Sequence, residues 1–272
     1  MNGSIPKSLG RLQELRILDL LQKDWEGVLS EDYFQNLSKL KVLSISSSKK
    51  SFVFNLSSDW VPPFSLIVIV ITDYEFGPTF PKWLQTQTHL ETIVLQNVSV
   101  SETIPNWLWK MSPRIHWLDV SDNQIRGTIP RSLVFPSKTW IYLSCNSLEG
   151  PFPLWPNVSY LNLANNSFSR TMPINIGQTM SRLIYLYLSS NLLNGSMPSS
   201  IGKINSLRIL HLSNNHLSGK VHDHWMGEKI EAIDLSKNNL SGSFPASLCS
   251  LPNFVQLKLS KNRFFLGNFL FH

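Results

Sequence analysis

Leucine, isoleucine and valine recur along this chain in short alternating runs. Each run is followed by a polar step, an asparagine, another leucine, a glycine and an apolar-proline pair. Written out, the pattern is LxxLxLxxNxLxGxIP, with its cleanest copies at residues 115–130, 207–221 and 230–245. Units begin at Leu15, Leu40, Leu66, Leu90, Ile115, Lys138, Val158, Leu183, Leu207, Ile230 and Phe254, in steps of 20 to 26 residues. Alternation with period two marks a strand with one buried face. In the fifth unit it sends Ile115, Leu118 and Val120 inward and Trp117 and Asp119 outward. One such strand cannot bury its apolar side alone, so the units must stack into a common core.

A period in this range with this pattern predicts a leucine-rich-repeat solenoid of α/β class. A parallel sheet lines its concave face, and short helical, 3-10 and extended segments form the convex side. The expected organisation is a single array over 1–272 of about 11 repeats. It is irregular over 1–100, with an insertion at 49–64, regular over 115–262, and closed by an apolar tail at 264–272. Asn123, Asn146, Asn166, Asn191, Asn215, Asn238 and Asn262 stand at the ninth position, where an inward amide satisfies backbone groups left unpaired at a bend. The first four units carry Lys23, Ser48, Tyr74 and Val98 there instead, which predicts lower regularity. Gly127, Gly150, Gly195, Gly219 and Gly242 suit a turn. Pro105, Pro130, Pro173, Pro198 and Pro245 are placed to open the convex return. The chain starts within a repeat and shows no capping segments, the expectation for a piece of a longer array.

Charge narrows the partners. The net charge is +6, but the longest basic run is the pair Lys49-Lys50, so no nucleic-acid partner is expected. The longest apolar stretch is 66–71, against the ~20 residues that span a bilayer, and no secretion leader precedes the first unit. Cys145 and Cys249 lie four coils apart, about 19 Å at strand spacing, too far to pair; Cys249 is expected to pack inward. The run His222-Asp223-His224-Trp225 lacks a third ligand and reads as a solvated loop. No nucleophile, phosphate-loop or paired-carboxylate set stands out, so the expected function is non-enzymatic, with no metal and no cofactor.

Function then belongs to surface positions. From the fifth to the ninth unit the outward strand positions carry Trp117, Asp119, Trp140, Tyr142, Tyr160, Asn162, Tyr185, Tyr187 and His211. Tyr and Trp bury large areas with few rotors and dominate binding hot spots, which makes this stripe the candidate ligand-binding face. Cross-strand stacking is the structural alternative. Eight N-x-S/T sequons, at Asn2, Asn36, Asn55, Asn97, Asn157, Asn165, Asn194 and Asn239, are candidate glycosylation sites.

The L-S-G-x-I-P extension, here LSGSFP (240–245) and LNGSMP (193–198), resembles the plant-specific form of the repeat. The stretches SSDWVPPF (57–64), GPTFPKWLQTQ (77–87), TIPNWLWKMS (103–112) and EGPFPLW (149–155) resemble plant receptor-like proteins of the ethylene-inducing-xylanase-receptor class. That resemblance implies a module in the ectodomain of a cell-surface immune receptor. It would bind a protein, peptide or glycan ligand at the extracellular face of the plasma membrane and act through a partner receptor kinase. A soluble inhibitor of the polygalacturonase-inhibiting type, and a truncated receptor product without function of its own, are the alternative readings.

Overall fold

The computed structural model describes residues 3–21, 25–46, 52–57, 59–223, 225–243 and 245–265. The expectations for Lys23, Ser48, the Lys49-Lys50 pair, His224, the Asn2 sequon and tail residues 266–272 lie outside the described residues. The chain divides into two compact units, Met1–Arg126 and Gly127–His272.

In the first unit the inner strands are Ile17–Leu20, Val42–Ser46, Val68–Thr72, Thr92–Gln96 and Trp117–Asp119, each parallel to the next. The register aligns Leu18, Leu43, Ile69, Ile93 and Leu118. All five are buried, so the alternation read from sequence is the alternation of the core. A second parallel sheet runs beside them through Gly3–Ser4, Trp25–Ser30 and Phe52–Asn55. Its last strand falls in the stretch expected to be an insertion. Trp60, from the same stretch, packs 5.5 Å from Phe34, 5.9 Å from Phe64 and 5.5 Å from Trp83. The Trp-Val-Pro-Pro segment therefore supplies an aromatic side chain to the core.

The second unit repeats the scheme. Its inner strands are Thr139–Tyr142, Val158–Asn162, Tyr185–Tyr187, Ile209–His211, Ala232–Asp234 and Gln256–Lys258, again parallel in succession. Its lateral strands are Ser147–Pro151, Ser167–Thr171, Leu192–Ser196, His216–Lys220, Asn239–Gly242 and Arg263–Phe264. The glycines read as turn residues thus lie inside extended strands. Gly195 has φ +71°, and a Cβ there would stand 2.6 Å from Thr171 Cγ2 of the previous coil. The two sheets advance differently. Tyr160 pairs with its repeat equivalent Tyr185. Asn194 pairs with His216, two places short of its equivalent Ser218, and Ser218 pairs with Asn239, again two short.

Between the sheets runs the asparagine ladder. Asn191 Nδ2 donates to the carbonyls of Leu163 at 2.9 Å, Leu188 at 3.1 Å and Ser189 at 3.3 Å, and its Oδ1 accepts the Phe168 N–H at 2.9 Å. Asn215 and Asn238 repeat all four bonds one coil on each time. The chain reaches this geometry through a left-handed residue just before each ladder asparagine, such as Asn165 at φ +54° and Asn214 at +55°. In the first unit Tyr74 stands at the ladder position, and its hydroxyl oxygen accepts the Phe54 N–H. A tyrosine therefore copies the acceptor half of the amide, which the sequence reading did not credit. Val98 is buried, and its own N–H is accepted by Asn123 Oδ1 at 3.0 Å.

The returns vary. Pro105, Pro198 and Pro245 precede the short helices Asn106–Lys110, Ser199–Lys203 and Ala246–Ser250. Pro173 is separated by two residues from Ile176–Thr179. No helix follows Pro130, where the next unit begins 8 residues on at Lys138, against 10 residues from Pro105 to Ile115. Buried Phe135, Phe152 and Trp155 fill the space, and the Trp155 indole N–H donates to the Pro130 carbonyl at 3.1 Å. Cys249 is exposed rather than packed inside, because its helix Ala246–Ser250 buries Leu248 and turns the following residue to solvent. No helix of the described residues is long and apolar enough to cross a membrane.

Candidate functional site

On the second unit's inner sheet the register sets the outward side chains in two rows. One row runs Trp140, Tyr160, Tyr185, Ile209; the other runs Tyr142, Asn162, Tyr187, His211, Asp234, Lys258. Tyr160 is the hub. Its ring centroid lies 5.4 Å from Trp140, 4.3 Å from Tyr142, and 5.5 Å from both Tyr185 and Tyr187. Trp140 and Tyr160 are stacked at 20°, and His211 stands edge-on to Tyr187 at 5.0 Å. Trp140 is 37% exposed, and the tyrosines are half-buried. The rings pack across strands and remain partly exposed to solvent.

Burial raises the Tyr187 phenol above its usual range. The neighbouring Tyr185 adds to this, and a hydrogen bond with Tyr160 opposes it. Burial lowers the His211 imidazole, with Asp234 opposing and Lys258 reinforcing the shift. Asp234 and Lys258 were absent from the sequence reading, although they continue the same outward row; their signal was the alternation itself. Arg208, just before the strand Ile209–His211, was also absent; its guanidinium Nε donates to Glu231 at 2.8 Å. Asn162 Oδ1 accepts the Ala164 N–H at 3.1 Å, so this amide also closes the end of its strand.

Trp117 and Asp119 belong to the first unit. Trp117 is 37% exposed. Asp119 Oδ1 accepts from the Ser121 N–H at 2.9 Å and from its hydroxyl at 2.6 Å, and burial holds its carboxyl above the usual range despite them. Trp117 is paired with Thr92 and Asp119 with Val94, and the outward positions before them are Val68 and Val70, then Val42 and Ser44, so the aromatic character does not extend to them. Among the described sequons Asn36, Asn55, Asn97, Asn165, Asn194 and Asn239 are exposed. Asn157 is half-buried, with its Nδ2 given to the Phe135 carbonyl at 2.9 Å. Asn194 and Asn239 sit on lateral strands, away from the aromatic rows.

Residues 156–217 match a family model described as leucine rich repeat, and residues 114–135 and 229–251 match a second of the same description. The receptor-like protein EIX2 of Solanum lycopersicum is 32% identical over 203 residues, covering 74% of this chain and 17% of that protein. Receptor-like protein 9a of Arabidopsis thaliana is 35% identical over 245 residues, covering 87% of this chain and 26% of that one. The chain thus spans about a fifth of the length of these relatives. Among solved structures, the plant peptide hormone receptor RGFR1 in complex with RGF2 aligns with TM-score 0.78 at 24% identity, over 97% of this chain and 46% of that one. The LRR ectodomain of the Arabidopsis thaliana receptor kinase GASSHO1/SCHENGEN3, in complex with CASPARIAN STRIP INTEGRITY FACTOR 2, gives TM-score 0.78 at 25% identity, over 97% and 35%. This chain belongs to the leucine-rich-repeat receptor-like proteins of plants.

Proposed function

We propose that the chain is a non-enzymatic recognition module in the extracellular part of a plant receptor-like protein, reading an extended peptide or protein segment of microbial origin. The observation that carries this is the half-exposed aromatic ladder of Trp140, Tyr142, Tyr160, Tyr185 and Tyr187 on one solvent-facing sheet. A solved plant peptide hormone receptor, in complex with RGF2, shares this fold, which supports the peptide class. Signalling would pass to a partner receptor kinase, as the resemblance implies. The test is a displayed library of linear peptides selected on the chain, with each binder re-measured on Trp140→Ala and Tyr185→Ala. Each truncation should weaken binding by roughly 30-fold, the effect of a hot-spot aromatic of about 2 kcal/mol. Binders that ignore both substitutions in folded protein would discard the ladder as the reading face.

A further inference from the structure

Charge is divided unevenly along the chain. Residues 1–126 hold 12 Lys and Arg against 13 Asp and Glu, whereas residues 127–272 hold 12 against 5. The positive excess therefore belongs to the second unit. It is steepest at the end of the inner sheet, where residues 235–272 contain Lys237, Lys258, Lys261 and Arg263 and no Asp or Glu. All four are exposed. Lys237 and Lys261 stand on adjacent coils, where the Asn238 N–H donates to the Lys261 carbonyl at 3.2 Å. Lys258 continues the outward row of Tyr187, His211 and Asp234. Two acids stand on the preceding coil, and both are engaged. Glu231 is held by Arg208. Asp234 is 9% exposed, its Oδ1 accepts from the Ser236 N–H at 3.0 Å and hydroxyl at 2.6 Å, and its Oδ2 lies 4.0 Å from Lys258 Nζ. The surface left around them is positive.

An exposed patch of one sign concentrates opposite charge and rejects like charge, so it selects partners. Single exposed ion pairs are weak, which makes the group of lysines on two coils, rather than any one of them, the recognising feature. The patch is continuous with the aromatic ladder. Tyr187 and Lys258 are three strand steps apart in one row. At ~4.8 Å per step that is about 14 Å, which an extended chain covers in about four residues. A peptide can set an apolar side chain on the rings and carboxylates on the lysines within so short a span. A basic segment would meet like charge there. Taking the ladder as the reading face, we infer that the segment it binds is acidic at one end. Its Asp or Glu side chains lie about four residues beyond the residue on Tyr187, opposite Lys237, Lys258 and Lys261.

A peptide of two phenylalanines, two glycines and three glutamates tests this, together with its reversed sequence and the lysine counterparts of both. Each is titrated into the chain at low and at high salt. One glutamate orientation should bind, more weakly as salt screens the charges, and neither lysine peptide should. The double variant Lys237→Glu with Lys261→Glu should lose about tenfold in affinity for that peptide at low salt and little at high salt. Both positions are exposed, so the substitutions leave the core untouched. Tyr185→Ala should weaken the same binding. Weakening by Tyr185→Ala alone overturns the acidic end and leaves the ladder standing as the reading face. Weakening by the double variant alone keeps the acidic end and discards the ladder. Lysine peptides that bind as well as glutamate ones overturn the inference. So does polygalacturonate binding that the double variant weakens when no glutamate peptide binds, since that marks an acidic polysaccharide as the occupant.

Discussion

Replacing Asn191 by alanine isolates what the ladder contributes. Each of the three carbonyls it serves keeps another donor, the Ser189 carbonyl receiving the Asn165 N–H at 2.9 Å. The Leu163 carbonyl still receives Asn166 Nδ2 at 3.2 Å, and the Leu188 carbonyl still receives Asn215 Nδ2 at 2.9 Å. The Phe168 N–H, by contrast, donates to Asn191 Oδ1 at 2.9 Å, and both residues are buried. A stranded buried donor costs about 1–3 kcal/mol, and the hydrogen bonding that is lost adds about 1. Asn191→Ala should therefore destabilise its coil by about 2–4 kcal/mol. Asn191→Asp should be worse: it retains the acceptor for Phe168 but turns a buried carboxylate toward carbonyl oxygens. Repeat arrays need not melt as one cooperative unit, so hydrogen exchange at the Phe168 amide is the sharper assay, with urea unfolding as the global check. Unchanged protection at Phe168, or Asp tolerated better than Ala, would refute this account.

Three further outcomes follow from the packing. Gly177→Ala should destabilise severely, because its Cβ would stand 1.9 Å from the Ser200 carbonyl oxygen; Gly195→Ala should cost less, since the obstacle is a Thr171 methyl, and Thr171→Ser should recover part of that loss in thermal melts. Trp155→Ala should cost about 3–5 kcal/mol in urea unfolding, as expected of a fully buried tryptophan, and more than Trp117→Ala, whose ring is 37% exposed. The His211 pKa is lowered on folding from its ordinary 6.5, so neutral imidazole is the native form. Stability is full above 6.5 and declines as pH falls toward the folded pKa, and His211→Gln should flatten that decline in stability measured against pH.

Sequence made the inner strands legible because alternation and the 24-residue period report a buried row in each unit, Leu18 to Leu118 in the first and Leu161, Leu186, Leu210 and Ile233 in the second. The ladder asparagines were legible for a similar reason: no other residue type supplies both amide donors and an acceptor in so small a space. The lateral sheet was not. Its strands alternate weakly, and their glycines signal a turn and a left-handed strand residue equally well. Tyr74 was missed because only a neighbouring coil, through Phe54, reveals what its hydroxyl does. Cys249 was misplaced because a five-residue helix has no periodicity long enough to tell its buried side from its exposed one. The aromatic ladder was named residue by residue, yet the packing of its rings around Tyr160 is a property of rotamers, on which sequence spacing is silent.

Within the second unit one sheet steps forward squarely while its companion slides back two places at every coil. Stacked plates joined squarely on one side and askew on the other must each turn a little relative to the plate beneath. The coils are therefore not interchangeable spacers. Excising one, even with flawless seams, would swing Tyr142 and His211 to a new mutual bearing, so repeat number in this molecule sets a viewing angle as well as a length.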